Sequence, residues 1–185
     1  MVILLSGTYS DHESINCSIS YVNTEEFIGE WFIISNIPYF AEKNNVSRKA
    51  NYILNEKNEI DDIFISQEGA FDAPVDIIKG RVKSLNQPNT QWQSTFYWLI
   101  KFDFEILHIN HNHNTMLLGH KSRNYGWIMA RTATIPDSAT ISALQVFADN
   151  NYNTSQFRIV PKVAKQLNLM NTKITEIYDL SAVNQ

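Results

Sequence analysis

Apolar and polar residues alternate with a period of two along most of the chain, the spacing of a strand that turns one face to a core. The clearest run, 27–37, reads Phe-Ile-Gly-Glu-Trp-Phe-Ile-Ile-Ser-Asn-Ile and stops at Pro38, which has no N–H to give to a ladder. Similar runs predict strands over 50–54, 60–66, 77–85, 92–102, 104–109, 115–119 and 125–131. Asn, Gly, Pro and Asp fill the breaks, each suited to turns for its own backbone reason. Eight strands joined mostly by short links make a meander rather than βαβ units. After Pro136 the period changes. Asp137 and Ser138 can cap a helix, and Ile141, Leu144, Val146, Phe147 and Ala148 recur at roughly helical spacing before Asp149-Asn-Asn151 ends it. One more short strand fits 157–160, ahead of Pro161.

An open sheet of this kind would leave two hydrogen-bonding edges. Closure into a barrel removes them, and at about eight strands the interior holds side chains plus one small ligand. The expected fold is therefore all-β: an eight-stranded antiparallel up-and-down barrel with one C-terminal helix packed outside. Trp31 and Ile33 fall on one face of the first strand and Phe32 and Ile34 on the other, so the latter pair can form the patch that the helix covers. Three segments follow: 1–23, an export-signal remnant or an extra strand; 24–161, the barrel and helix; and 162–185, a tail or short helix.

Composition narrows the function. The 185 residues carry 15 Lys+Arg against 19 Asp+Glu, a formal charge of −4, which argues against nucleic acid as a partner. Hydrophobic residues at 44%, with 12% aromatic, exclude a disordered chain. The single cysteine, Cys17, allows neither an intramolecular disulfide nor a Cys-based zinc site, and reads as a buried or idle thiol rather than a lipid-attachment site. No stretch approaches the roughly 20 consecutive apolar residues that span a bilayer as a helix.

Three short motifs then occur in order. Gly29-Glu30-Trp31 opens the first strand, Asn124-Tyr125 precedes the eighth, and Arg131 follows Trp127-Ile-Met-Ala130 near its end. With the helix behind them, these residues resemble the signatures of the lipocalin family, and specifically its bacterial lipocalin and apolipoprotein D branch, over roughly 24–161. Asn124 stands where Asp is more usual, Ala133 where Pro is common, and the branch's cysteines are missing. The resemblance implies that Gly29, Trp31, Tyr125 and Arg131 are structural. Trp31 would plug the closed end of the barrel, with the Arg131 guanidinium on its indole.

The plug sets the phase of the lining. Ile33, Ser35 and Ile37 should point inward on the first strand, and Ser94, Phe96 and Trp98 share a face on the fifth. Trp127 and Met129 share a face with Arg131 on the eighth. By resemblance Ala50 and Tyr52 face in on the second strand, and Gly80 and Val82 on the fourth. The third strand stays open between Asp62, Phe64 and Ser66, which the resemblance favours, and Ile63 and Ile65, which hydrophobicity favours. Such a lining suits an acyl chain, with a polar head near the mouth meeting Lys43, Arg48 or Lys79.

The function expected is non-enzymatic binding or transport of a small hydrophobic ligand, such as a fatty acid, a lysophospholipid or a similar lipid, in the service of membrane lipid maintenance and with no cofactor. No Gly-x-Ser-x-Gly elbow, His-Glu-x-x-His or glycine-rich phosphate loop suggests a hydrolase. An alternative chemistry uses His108, His111, His113 and His120, above all His111 and His113, to hold zinc, copper or haem iron. Peripheral membrane association and a monomer or homodimer complete the expected partners. The expected compartment is the periplasm or outer membrane for a bacterial source, and the secreted space otherwise.

Overall fold

A computed structural model describes residues 19–39, 44–110 and 114–162. Expectations about the segment before residue 19, Cys17, Lys43, His111, His113 and the tail beyond residue 162 lie outside these. A short helix α1 (Thr24–Phe27) comes first, its first turn capped by the Asn23 side chain, which accepts from the Glu25 N–H. Eight strands follow: β1 (Gly29–Ile37), β2 (Asn45–Leu54), β3 (Ile60–Glu68), β4 (Val75–Ser84), β5 (Gln91–Phe96), β6 (Ile100–Ile109), β7 (Thr115–Gly119) and β8 (Gly126–Ala130). Helix α2 (Asp137–Asp149), a 3-10 turn (Thr154–Gln156) and a two-residue β9 (Arg158–Ile159) complete the described chain.

Each strand pairs antiparallel with the next, and β1 also pairs with β8, which closes the barrel. The lower half of β1 binds β2 and its upper half binds β8 and then β9, so no edge of the eight-stranded wall is left open at this seam.

The closed end is built from the residues that open β1. Trp31 is fully buried and donates from its indole N–H to the Phe27 carbonyl at 2.8 Å. Arg131, just past β8, lies with Cζ 3.6 Å from the Trp31 ring centroid. Its guanidinium also donates to the carbonyls of Glu26, Ile28 and Glu30 at 2.7–2.9 Å. The loose carbonyls behind α1 thereby gain charged donors in place of water. Gly29 makes room for this arrangement: its φ is +106°, and a Cβ there would sit 2.8 Å from Arg131 Nη1. Above the plug, the Phe27 ring stacks on Trp92 at 4.9 Å and packs on Tyr52 at 4.1 Å, which fills the floor.

Outside the barrel, Ala143, Val146 and Phe147 of α2 are buried against Ile34, Leu117, Ile128 and Ala130, with Phe32 partly buried beside them. This is the covered outer patch that the alternation at 31–34 predicts. The helix begins at Asp137 with no side-chain cap, in place of the expected Asp137-Ser138 cap.

Two strand limits differ from the sequence reading. Strand β2 begins at Asn45, five residues ahead of the expected start at 50. The run 92–102 is broken by a tight turn at Tyr97–Leu99, where Tyr97 and Trp98 have φ of 49° and 51° and the Leu99 N–H donates to the Phe96 carbonyl. Left-handed backbone costs an L-residue roughly 1–2 kcal/mol, and neither position carries the Asn or Gly that announces such a turn. Residues 96–100 form one unbroken apolar run with no turn residue in it, so the sequence signals one long strand.

Gly29→Ala is expected to destabilise the fold by about 2 kcal/mol, because it adds both backbone strain and a clash with the clamped guanidinium. A shift in the urea midpoint at constant slope checks this; a change below about 0.5 kcal/mol would mean the clamp does not need the open space.

Candidate functional site

Residues paired across an antiparallel ladder share a face, so Trp31 fixes which side chains enter the barrel. Trp31 pairs with Ala50, Ala50 with Phe64 and Phe64 with Ile78. In the adjacent row Tyr52, Asp62, Gly80 and Phe96 lie side by side, and in the next Ile60, Val82, Ser94 and Phe102. On the third strand, Asp62, Phe64 and Ser66 therefore face in, while Ile63 and Ile65 form a separate outer cluster. Ile33, Ala50, Tyr52, Val82, Phe96, Trp127 and Met129 take the inward positions expected of them.

Three expected lining residues do not. A bulge in β1 lets Ile33 pair with Met129 and Ser35 with Ile128, so the extra residue, Ile34, reverses the phase. Ser35 then donates to the Arg158 carbonyl under β9, and Ile37 joins the outer core beneath α2, while Asn36 pairs with Trp127 on the inward side. Trp98 stands in the β5–β6 turn, 87% exposed, and lines nothing. Lys79 faces outward beside Ile63, away from the mouth where a lipid head was expected to meet it.

The interior changes character along its axis. Near the floor Phe27, Trp31, Tyr52, Val82, Trp92 and Phe104 are all buried. Higher up, Phe64, Ile78, Phe96 and Phe102 point inward yet stay half-buried, so solvent reaches them from the open end. Gly80 helps to shape this upper wall: the Phe96 ring crosses the place its Cβ would take, 2.6 Å away. Phe102 also meets Trp127 edge-on at 5.4 Å, and Tyr125 and His120 close one side of the mouth around it.

Two charged groups enter this apolar space. A second bulge, with Ser47 at φ 52°, places the buried Arg48 guanidinium 4.9 Å over the Phe64 ring. Asp62 is 3% exposed; its Oδ2 accepts from the Ser94 hydroxyl at 2.5 Å, and its Oδ1 has no hydrogen-bond partner among the described residues. Burial raises the Asp62 carboxyl from 3.8 to about 6, against the opposing pull of the Ser94 hydrogen bond. The same burial, with the Asp62 charge alongside, pushes the Tyr52 phenol well above its ordinary value. The adjacency of Asp61 and Asp62 blurred the phase of this strand in sequence, so the inward acid was visible only as one of two alternatives.

The two described histidines of this group, His108 and His120, do not come together. His108 faces the groove between β6–β7 and α2, whereas His120 lies near the mouth with its Nδ1 against the Ser122 hydroxyl. They are three ladder positions apart, about 10 Å along the strand. Among the described residues no three His, Cys, Asp or Glu side chains converge on a point that could hold a metal.

Residues 22–162 match the family model for a lipocalin-like domain. The chain is 26% identical over 155 residues to temperature-induced lipocalin-1 of Arabidopsis thaliana, an alignment that covers 76% of this chain and 80% of that one. Among solved structures, insecticyanin from the tobacco hornworm Manduca sexta superposes with a TM-score of 0.66 at 12% identity, over 81% of this chain and 86% of that one. The cockroach allergen Per a 4 gives 0.60 at 13% identity, over 80% and 95%. Lobster apocrustacyanin A1 gives 0.60 at 14%, over 77% and 81%.

The raised Asp62 carboxyl has a defined effect on stability. The folded chain holds this proton between pH 3.8 and about 6 while the unfolded chain releases it, so stability falls as pH rises through that window. Above it the buried charge costs up to about 3 kcal/mol. Asp62→Asn should therefore raise the urea midpoint at pH 7.5 and leave it nearly unchanged at pH 4; equal pH dependence in both proteins would show that Asp62 is not the group responsible.

Proposed function

The chain belongs to the lipocalin-like family, and from that premise we propose that it binds and carries a small hydrophobic ligand in its barrel and catalyses no reaction. The observation that carries this reading is the half-buried inward layer of Phe64, Ile78, Phe96 and Phe102 above a floor sealed by Phe27, Trp31 and Trp92. A wall of apolar side chains that face inward and still meet water gains free energy by exchanging that water for hydrocarbon, about 0.8 kcal/mol for each methylene buried.

The ligand class proposed is a fatty acid, a lysophospholipid or a similar single-chain lipid, held for the upkeep of membrane lipids. Its tail points down toward Tyr52 and Asp62, and its head stays at the level of Arg48. Arg48 supports this orientation, since a guanidinium over the upper wall can take a carboxylate or phosphate through paired N–H donors. Asp62 supports it too: a neutral carboxyl deep in the cup tolerates a hydrocarbon tail, whereas a charged one repels an anionic head. The proposal extends to place, namely the periplasm or outer membrane of a bacterial source and the secreted space otherwise.

A displacement titration with a fluorescent fatty acid tests the function. Palmitate and lysophosphatidylcholine are expected to displace the probe, and failure of every lipid class to do so overturns the proposal. Burying a tail beside Asp62 desolvates it further, so binding should take up a proton and weaken by roughly threefold or more between pH 5 and pH 7.5. In Asp62→Asn this slope should flatten. Arg48→Leu should weaken palmitate more than the corresponding alcohol.

A further inference from the structure

The buried acid of the cup is only half satisfied. Asp62 Oδ2 accepts from the Ser94 hydroxyl, while Oδ1 has no hydrogen-bond partner among the described residues although the side chain is 3% exposed. A buried acceptor left unmatched opposes folding, so a group that arrives with a hydrogen to give is favoured there. Ladder pairing sets Tyr52 of β2 on one side of Asp62 and Gly80 of β4 on the other. Gly80 brings no side chain to this row, and the half-buried Phe96 ring lies across the place of its Cβ. Ile60 and Val82, paired in the row beneath, are buried and apolar.

The polar groups that face the acid are therefore Tyr52 from β2 and Ser94 from β5. Burial and the Asp62 charge both hold the Tyr52 proton, so the phenol stays a neutral donor at physiological pH. Arg48 lies one layer higher, over the Phe64 ring. Phe64 above the acid and Phe96 beside it are half-buried, so the way down from the mouth to this row is lined by side chains that already meet water.

We infer that the ligand carries a hydroxyl part-way along its hydrocarbon chain, and that this hydroxyl donates to Asp62 Oδ1 and accepts from the Tyr52 phenol. The inference rests on the proposed binding of a single-chain lipid in the cup and narrows that class to hydroxylated long-chain acyl groups. An ionised carboxylate offers lone pairs only, and the phenol has a hydrogen to give. Their complement is one group that both gives and takes a hydrogen bond, and a hydroxyl is the smallest that does. An ammonium has donors only, leaves the phenol hydrogen unmatched and loses more on leaving water. A bare methylene leaves Oδ1 dry and unmatched. Depth sets the position on the chain. Asp62 lies two residues below Phe64 on β3, about 7 Å along the strand. With the head at the level of Arg48, the hydroxyl belongs at mid-chain, several carbons from the carboxyl.

Displacement of cis-parinarate from the intact chain tests this, with stearate compared against hydroxystearates that carry the hydroxyl beside the carboxyl, at mid-chain or at the far end. The mid-chain isomer is expected to bind about tenfold more tightly than stearate at pH 7.5, where Asp62 is ionised and the bond is charge-assisted. The other two isomers should show no such gain. At pH 5 the folded chain holds the Asp62 proton, and the margin should shrink to a few-fold. Asp62→Leu should move the two acids in opposite directions at pH 7.5: stearate binds more tightly because no buried charge remains, and the mid-chain isomer loses its advantage. Asp62→Asn keeps an acceptor and should retain a few-fold preference that no longer changes between pH 5 and pH 7.5. Tyr52→Phe should lower the preference at both. The wild-type comparison needs no variant, so it decides even where Asp62→Leu does not fold. Equal affinity of the wild type for stearate and the mid-chain isomer overturns the inference and leaves the proposed lipid binding standing, as does a preference undiminished in Asp62→Leu. Failure of every one of these acids to displace the probe overturns both.

Discussion

The closed end of the barrel depends on one clamp. Arg131 comes from the far side of β8 and Trp31 from the start of β1, one hundred residues earlier, and their stacking fixes the register in which the first and last strands meet. The same guanidinium holds the carbonyls of Glu26, Ile28 and Glu30, so α1 is drawn under the barrel and Phe27 is delivered into the floor. A cation half-buried against an indole and satisfied by three neutral acceptors is stabilised without a carboxylate partner. Once Trp31 points inward, the two-residue period of every paired strand dictates the rest of the lining until a bulge intervenes.

That dependence explains which parts of the fold and site were legible in the sequence. The barrel, the outer helix and the plug were readable because they rest on period and on three short motifs, and both survive local irregularity. So were Ile33, Ala50, Tyr52, Val82, Phe96, Trp127 and Met129, none of which is displaced by the inserted residue of a bulge. Ser35 and Ile37 were misplaced because a bulge is one inserted residue with no residue type of its own: nothing in Ile33-Ile-Ser35 distinguishes a straight strand from a kinked one. Trp98 was misplaced for a related reason, since the continuous apolar run Phe-Tyr-Trp-Leu-Ile over 96–100 carries no turn residue and the hairpin is imposed by the pairing on either side. Both misplacements fall where local preference and the closed sheet disagree.

Asp62 shows a different kind of disagreement. Hydrophobicity alone would have turned Ile63 and Ile65 inward and placed Asp62 in water, and the closed register does the reverse. Burying a carboxylate with one oxygen unpartnered opposes folding at neutral pH, and Ser94 offsets only part of that. A protein selected for stability alone would replace this acid with a residue like its neighbours, so its presence beside the accessible wall is most simply read as a property of the cup.

The left-handed Tyr97-Trp98 pair and the buried acid have one thing in common: each gives up local stability. From the tip to the floor, apolar surface runs from fully exposed at Trp98, through half-buried at Phe96 and Phe102, to dry at Trp92 and Phe27. A single-chain lipid of the class proposed above would follow this series inward. Arg48 lies over the upper wall, where the head of such a lipid would come to rest, and Asp62 lies below it, where only the tail would reach. Charge within the cup is thus ordered along the same axis as hydration. A barrel evolved merely to pack its own side chains would have no reason to order either.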